Sequence, residues 1–409
     1  MDVPPRAELI ERIRALPAAR PLLEHLADVP GLYVVGGAVR DLLLGRQPHE
    51  LDLVVEDDAA AVASRLGGSR RVHDRFGTVA VTLDGHTYDI ARARKETYAR
   101  PGALPDVVPA NLDDDLWRRD FSVNAGAVAL GGERAGELRA VPAMVRDLDS
   151  GVLRVLHDGS FIDDPTRMLR LARYGARLGF SAEPHTRALL DQAVRGGALG
   201  TVSASRIGAE LRLLSREPDP VGSVRMLHAL GLDRPLVLDG SEGAMGLAEQ
   251  ALALLPAEER RDRLVLAAAA RGGPADGELR ARLDGWGFTA PDREAITAAA
   301  FRADAVAAQL RAAARPSEIA AAVKGAPVEL VALAGALGAE EQAREWLARL
   351  RQVRLEIDGE DLLAAGVPAG PAVGRGLQAA LEDKLDGRAS TLEQELASAL
   401  RAAGHPGNE

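Results

Sequence analysis

The sequence predicts an α+β domain near the N-terminus, followed by segments built almost entirely from helices. Short β-rich runs separated by glycine turns occupy residues 29–150. From about Asp219 onward, alanine, leucine, glutamate and arginine recur at helical spacing instead. Because the chain has 409 residues, we expect several domains rather than one hydrophobic core.

The composition excludes several classes of protein. The chain has no cysteine, so it offers neither a disulfide framework nor a thiolate metal ligand or nucleophile. It has no apolar run long enough to span a bilayer, and we expect a cytoplasmic protein without a membrane partner. The formal net charge of -10 argues against a protein that coats polyanions, although a local basic surface would still permit RNA binding.

A strand, a glycine turn, a helix and a second strand are predicted between Leu32 and Glu56. The first apolar run stops at Gly36 and Gly37, and a helical pattern follows. Paired glycines let backbone N–H groups converge on an anion, and the positive end of the helix points the same way. Arg40, in the first helical turn, would bind a phosphate oxygen.

Two acidic residues open the second strand of this stretch. With a side-chain period of two, Glu50 and Asp52 face one side of that strand. Two carboxylates beside a phosphate-binding turn suit Mg²⁺. A Rossmann dinucleotide site is excluded, because the Gly-x-Gly-x-x-Gly pattern is absent and the acidic pair stands where a ribose acceptor would not.

In this order and spacing, the residues resemble the opening motif of the polymerase-beta-like nucleotidyltransferases. Val35 to Gly45 resembles in particular the class II tRNA nucleotidyltransferase and bacterial poly(A) polymerase family. The resemblance implies a polymerase-beta-like nucleotidyltransferase head, an α+β fold, followed by an all-α neck, body and tail. The implied boundaries are an N-terminal helical extension at 1–28, the head at 29–150, the neck at 151–217, the body at 218–330 and a tRNA-binding tail at 331–409.

The resemblance also implies which residues carry the chemistry. Asp89 would be a third carboxylate beside Glu50 and Asp52, and together they would bind Mg²⁺ and activate the tRNA 3′-hydroxyl. The family has aspartate where this chain has Glu50. The added methylene moves the carboxylate by about 1.5 Å, and misplacement on that scale can cost on the order of 100-fold in rate.

The nucleotide would be bound by residues from several motifs of the family. Arg119 would contact a phosphate, and Asp120 the ribose 2′-hydroxyl. Asp164 and Arg167, expected on one helix face at i and i+3, would read the edge of cytosine or adenine. The complete implied set is Gly36, Gly37, Arg40, Arg119, Asp120, Asn124, Asp164, Arg167, Arg170 and Arg173.

The sequence supports predictions for three further segments. We predict a mobile loop from Arg100 to about Asn111, because proline and glycine are dense there, and in the family this element is associated with adding the terminal A. Gly126 replaces the family's usual methionine, which predicts looser packing. Arg206 and Glu210 are spaced to pair at i and i+4 in a helix that we interpret as structural support.

The implied activity is template-independent transfer of CMP and AMP from CTP and ATP to the 3′ end of tRNA, with release of pyrophosphate. The alternatives are an enzyme that adds only A or only C, a poly(A) polymerase, and a tRNA-binding relative with weakened catalysis. The last alternative rests on Glu50 and on residues 139–144, which depart from the family's hinge motif. The sequence indicates no obligate protein partner.

Overall fold

The computed structural model describes residues 2–48, 50–73 and 77–404, and the chain divides into two compact units. The first unit contains Met1–Glu210 and Leu230–Leu232. The second contains Leu211–Ala229 and Asp233–Glu409. Within the described residues, no helix has both the length and the apolar character needed to cross a bilayer.

All the strands of the described chain lie in the first unit. They are β1 (Leu32–Val35), β2 (Leu51–Val55), β3 (Ser69–His73), β4 (Thr78–Leu83), β5 (His86–Arg92), β6 (Arg94–Thr97), β7 (Asp106–Pro109), β8 (Gly126–Ala129), β9 (Leu138–Ala140), β10 (Val152–Leu153) and β11 (Ser181–Ala182). Seven of these described strands form one mixed sheet in the order β3-β4-β5-β2-β1-β8-β9. In that sheet β2 and β5 run parallel, and the other neighbours are antiparallel.

Helices surround this sheet and make up the second unit. Those in the N-terminal half are α1 (Arg6–Arg14), α2 (Ala19–Leu26), α3 (Gly37–Leu43), α4 (Ala59–Leu66), α5 (Leu112–Trp117), α6 (Met144–Ser150), α7 (Ser160–Asp163), α8 (Thr166–Leu178), α9 (Pro184–Arg195) and α10 (Ala204–Ser215). The later ones are α11 (Pro220–Ala229), α12 (Asp233–Leu236), α13 (Glu242–Leu252), α14 (Arg261–Ala270), α15 (Asp276–Gly285), α16 (Ala290–Ala312), α17 (Pro316–Ala322), α18 (Val328–Ala334), α19 (Glu340–Ala348), α20 (Gly359–Ala364), α21 (Pro371–Leu385) and α22 (Leu392–Ala402). The predicted α+β head and helical C-terminal region are therefore confirmed.

The register of the sheet places two acids side by side. On β5, Tyr88 and Ile90 are fully buried, so the alternating residue Asp89 points to the opposite, exposed face. Asp89 pairs in register with Asp52 of the parallel neighbour β2. Asp52 also faces Val35, the last residue of β1, so the acids lie where that strand ends.

Glu50 lies outside the strand on which it was predicted. Strand β2 begins at Leu51, and its first residue pairs only with Tyr88 of β5. On the other side, β1 has already ended at Val35, and Gly36 turns the chain away with a φ of 68°. Glu50 therefore lacks the sheet partners that would hold it on the same face as Asp52.

The prediction of a loop that extends to Asn111 is wrong for part of its length. Strands β6 and β7 pair antiparallel from Arg94 opposite Pro109 to Thr97 opposite Asp106. The proline- and glycine-rich residues 98–105 form the connection of this hairpin. Proline is compatible with the second strand because Pro109 is at its end, next to a single partner strand.

The prediction of looser packing at Gly126 is also wrong. A Cβ atom at Gly126 would lie 2.4 Å from Sδ of Met144. Met144 is fully buried and fills the space that a larger residue 126 would occupy. Met144 itself belongs to the segment that departs from the family's hinge motif, so one departure compensates the other.

Candidate functional site

A cavity of about 360 Å³ opens in the first unit above the end of β1. It brings together nine of the residues predicted from the sequence: Gly36, Gly37, Asp52, Arg119, Asp120, Asn124, Asp164, Arg167 and Arg170. Among the described residues, six more line it: Arg94, Glu96, Tyr98, Pro105, Arg118 and Tyr174. Four predicted residues are not part of the lining: Arg40, Glu50, Asp89 and Arg173.

The glycine turn lies against an arginine. Gly36 has a φ of 68°, which favours glycine, and a Cβ atom there would lie 2.9 Å from Nη1 of Arg119. The guanidinium of Arg119 is held by the buried carboxylate of Asp115 at 2.9 Å. A larger residue at position 36 would thus displace a cationic group from the cavity wall.

Asp52 and Asp89 form the acidic part of the site. Desolvation, followed by the negative charges of Asp89 and Glu50, raises the pKa of Asp52 to about 6 against the opposing effect of Arg119. Asp52 is nevertheless open to solvent on the cavity side, from which a cation could approach. Among the described residues, no group of three or more metal-type side chains is close enough to hold an ion alone.

Two adjacent carboxylates are nevertheless compatible with Mg²⁺. This ion commonly uses one or two protein carboxylates and completes its shell with water and substrate phosphate oxygens. The raised pKa of Asp52 reflects first its desolvation and then the nearby charge of Asp89, and a bound cation would favour the ionised form against both. The donor set of Asp52 and Asp89 therefore fits a divalent ion that arrives with a nucleotide, whereas Glu50 is not tied to their strands.

Arg40 contributes to the site indirectly, by contacting a residue of the cavity wall and not by lining the cavity. Its side chain is buried, and its guanidinium contacts Asp41 at 2.8 Å and Oδ1 of Asn124 at 2.8 Å. Asn124 in turn donates from Nδ2 to Asp120 at 3.0 Å. Arg40 thus orients two residues of the cavity wall, and the predicted direct phosphate contact is not available to it in this arrangement.

Asp120 is a buried carboxylate that stays ionised. Burial alone would raise its pKa, but the charge of Arg170, with hydrogen bonds from Asn124 and Arg170, lowers the pKa of Asp120 to about 2. Arg170 contacts it through Nη2 at 2.6 Å and Nε at 2.8 Å. This two-point contact fixes both side chains in the cavity wall.

Asp164 and Arg167 reach the cavity from two different local structures. Asp164 precedes helix α8 in an extended conformation, and its carboxylate accepts from the backbone N–H of Thr166 at 3.0 Å. Arg167 lies in the first turn and donates to Ser160 Oγ at 2.6 Å and to the carbonyl oxygen of Arg118 at 2.8 Å. They line one cavity, although they do not share a helix face.

The predicted pairing of Arg206 with Glu210 is wrong. Arg206 donates to Asp164 at 2.8 Å, whereas Glu210 contacts Arg170 at 3.2 Å and Arg173 at 3.4 Å. Both side chains turn away from each other because each finds an opposite charge in the cavity wall. Helix α10, which we interpreted as structural support, therefore fixes side chains of the site through Arg206 and Glu210.

Sequence reasoning missed an ion-pair network at the cavity entrance. Glu96 accepts from Arg118 at 2.9 Å, from Arg94 at 3.1 Å and from the Tyr98 hydroxyl at 3.1 Å. Burial, together with the charge of Glu96, raises the pKa of Tyr98 to about 12. The signal was present in the alternation of Arg94, Glu96 and Tyr98, which places all three on one face of an extended segment.

The chain is similar in sequence to known nucleotidyltransferases. A profile of the Poly A polymerase head domain matches residues 32–154. The chain is 32% identical over 401 residues to an A-adding tRNA nucleotidyltransferase of Geobacter sulfurreducens, covering 91% of this chain and 45% of that protein. It is 29% identical over 410 residues to the CCA-adding enzyme of Limosilactobacillus fermentum, covering 96% and 98%. The chain spans about half the length, or less, of several A-adding relatives that it matches.

Solved structures extend the similarity over nearly the whole chain. The apo form of a CCA-adding enzyme superimposes with a TM-score of 0.82 at 30% identity, covering 98% of this chain and 100% of that one. The CCA-adding enzyme of Thermotoga maritima, complexed with tRNA, gives a TM-score of 0.77 at 29% identity, covering 98% and 99%. The similarity therefore includes both the sheet-containing unit and the helical unit.

Proposed function

Because this chain belongs to the family of tRNA nucleotidyltransferases and bacterial poly(A) polymerases, we propose that it adds CMP and AMP, from CTP and ATP, to the 3′ end of tRNA. One observation carries the proposal: a single cavity contains the Asp52 carboxylate, the Gly36-Gly37 turn and the Asp164–Arg167 pair. Each of these three features serves a different part of a nucleoside triphosphate.

In the proposed reaction, the 3′-oxygen of tRNA bonds to the α-phosphorus of the nucleotide. The bond between that phosphorus and the oxygen of the leaving pyrophosphate breaks, and the hydroxyl proton passes to a carboxylate or to solvent. Asp52 and Asp89 would hold Mg²⁺, which when bound lowers the pKa of the hydroxyl and neutralises phosphate charge. Glu50, which immediately precedes strand β2, would assist these two carboxylates in binding the metal ion.

Base and sugar would be read by side chains that are already held in place. Asp164 would accept a hydrogen bond from the exocyclic amine that cytosine and adenine share, and Arg167 would donate to the adjacent ring acceptor. Asp120 would accept from the ribose 2′-hydroxyl, while Arg119 and Arg170 would face the phosphates. The contacts that fix these side chains reduce the entropy lost on binding.

The helical unit would position the tRNA. We assign 1–28 to an N-terminal extension, 29–150 to the head, 151–217 to the neck, 218–330 to the body and 331–409 to the tail. The tail has its own small core of Ile357, Leu362, Val367, Ala380 and Ala399, which supports its assignment as a separate module. We place the enzyme in the cytoplasm, where its substrate tRNA would be processed.

An enzyme that adds only A is the second candidate. The A-adding relative of Geobacter sulfurreducens favours it, whereas matches over the full length of CCA-adding enzymes favour CCA addition. The experiment is incorporation of labelled CTP and ATP, with Mg²⁺, into transcripts of tRNA that lack CCA, end in CC or end in CCA.

Each outcome of this experiment selects one function. Ordered addition of both nucleotides would establish CCA addition, and AMP on the CC-ended transcript alone would establish A addition. CMP addition alone would mean a C-adding enzyme, and long A tails would mean a poly(A) polymerase. Binding of tRNA without incorporation would contradict the proposed activity and would point to Glu50 as the cause of weakened catalysis.

A further inference from the structure

Three arginines surround the ring of Tyr174. The guanidinium carbon lies 4.7 Å from the ring centroid for Arg173, 5.5 Å for Arg40 and 5.6 Å for Arg170. All three distances are within the range of a cation–π interaction. The ring itself is positioned by the edge of Phe121, with centroids 6.1 Å apart and planes at 88°.

Charged and amide partners hold these arginines around the ring. On one side, Arg40 is joined through Asn124 to Asp120, which also binds Arg170. On the other side, Glu210 contacts Arg170 at 3.2 Å. The same carboxylate contacts the guanidinium of Arg173 at 3.4 Å. The ring thus stands within a network of alternating charges that runs from helix α3 to helix α10.

Tyr174 contacts the cavity directly, whereas two of the three arginines do not. Its side chain lines the cavity, together with Arg170. Arg40 and Arg173 do not line it, and they are only 2% and 8% exposed. Three like charges around one point repel each other, and the electron-rich ring face offsets part of that repulsion.

We propose that Tyr174 is a positioning residue for nucleotide binding. Its ring gathers the three guanidiniums and keeps Arg170 in its two-point contact with Asp120, so that positive charge faces the triphosphate and Asp120 faces the ribose. The inference rests on the proposed function, because it assigns a nucleotide to the cavity. It concerns the ring, since in the described part of the chain the hydroxyl group takes part in a single long hydrogen bond, donated by Arg170 at 3.3 Å.

The test compares Tyr174→Leu and Tyr174→Phe in the full chain. We expect Tyr174→Leu to weaken the binding of CTP and ATP about tenfold, equally for both, and to raise KM by the same factor, with kcat within about threefold. Tyr174→Phe keeps the ring and should bind both nucleotides within about twofold of the parent protein. Binding is measured by calorimetry without tRNA, and tRNA affinity is measured separately to check the fold.

A matched control is available at Phe288. Its ring lies 5.6 Å from the guanidinium carbon of Arg212 in the second unit, so Phe288→Leu removes the same type of interaction at another place. We expect this variant to bind nucleotides as the parent does. If Tyr174→Leu does not fold, Tyr174→Met, which also lacks a ring, replaces it.

Several outcomes would overturn the inference. Unchanged nucleotide affinity in the ring-less variants would exclude a role for Tyr174, and equal losses in Tyr174→Phe and Tyr174→Leu would assign the role to the hydroxyl group. A loss of kcat and tRNA affinity without a change in nucleotide affinity would indicate a structural role only. If the parent protein itself bound neither CTP nor ATP, the proposed function would fail instead.

Discussion

The guanidinium of Arg206 donates a 2.8 Å hydrogen bond to the carboxylate of Asp164. The same guanidinium donates to the carbonyl oxygen of Gly102 at 2.9 Å. Gly102 belongs to the connection between β6 and β7, whose backbone also bonds from Gly102 N–H to the carbonyl of Ile162 at 3.1 Å. Arg206 thus joins the side chain that we propose reads the base to the connection at the cavity entrance.

The first prediction concerns this arginine. Replacing Arg206 by alanine removes the charged partner of the partly buried Asp164 carboxylate, which keeps its hydrogen bonds to Thr166. We expect kcat/KM for CTP and ATP to fall about 10- to 100-fold, because a carboxylate without its charged partner costs about 1–3 kcal/mol. Arg206→Lys should recover part of the loss, since it restores charge without the fork of donors.

The control for Arg206 is Arg225→Ala, which removes an arginine that binds Glu242 and Glu249 in the second unit. Steady-state kinetics with both nucleotides should show no effect of that control. Equal kinetics for Arg206→Ala and the parent protein would contradict the assigned role of Asp164 in binding.

The second prediction tests the hairpin connection. Gly102 has a φ of 68°, and a Cβ atom there would lie 2.3 Å from Oγ1 of Thr201. Gly102→Ala should therefore displace the connection and reduce AMP addition to a CC-ended tRNA about tenfold or more. Gly85→Ala is the control, because Gly85 has a φ of 78° but no atom within 4 Å of the added Cβ. Parent-like activity of Gly102→Ala would contradict the prediction, and equal losses in both variants would assign the effect to backbone strain and not to the clash.

The third prediction concerns stability in acid. Because the pKa of Asp120 is lowered to about 2 in the folded chain, its ionised form stabilises the fold above pH 4. That contribution, about 2 kcal/mol, is lost as the pH falls from about 4 to about 2. Asp120→Asn should remove this pH dependence. Urea unfolding of both proteins across this range gives the difference, and parallel curves would be inconsistent with an ionised Asp120.

The fourth prediction concerns the acidic residues. Asp52→Ala should abolish incorporation at any Mg²⁺ concentration, because it removes one of two in-register carboxylates. Glu50→Asp should preserve or raise activity, since it restores the residue found in the family. Asp57→Ala, an exposed acid just beyond the same strand, should be neutral. Turnover that survives Asp52→Ala would show that the metal assignment is wrong.

The fifth prediction tests the compensation between Gly126 and Met144. Gly126→Ala forces Met144 to move and should cost about 1–3 kcal/mol of unfolding free energy. Met144→Ala leaves a cavity and should cost about 2–5 kcal/mol. The double variant should be destabilised by less than the sum, because the smaller residue 144 leaves room for the added methyl group. Strictly additive losses would mean that the two side chains do not share one space.

The elements with strong local signals could be predicted from the sequence alone. Strand β1 (Leu32–Val35) and helix α3 (Gly37–Leu43) lie on either side of the glycine turn, where the strand and the helix were predicted. Nine cavity residues were also predicted, because motif order encodes which segments meet. These predictions rely on the spacing of nearby residues or on the resemblance to a family. Both are visible in the linear sequence.

Only the tertiary structure decided which side chains face the cavity and which partners they choose. The sequence did not distinguish Arg170 from Arg40 and Arg173. Of these three arginines, Arg170 alone lines the cavity. Arg206 pairs with Asp164 rather than with Glu210 four positions away, because Glu210 is already engaged by Arg170 and Arg173. The choice of partner and the access to the cavity depend on burial and on contacts between residues far apart in the chain. The local spacing of residues in the sequence determines neither.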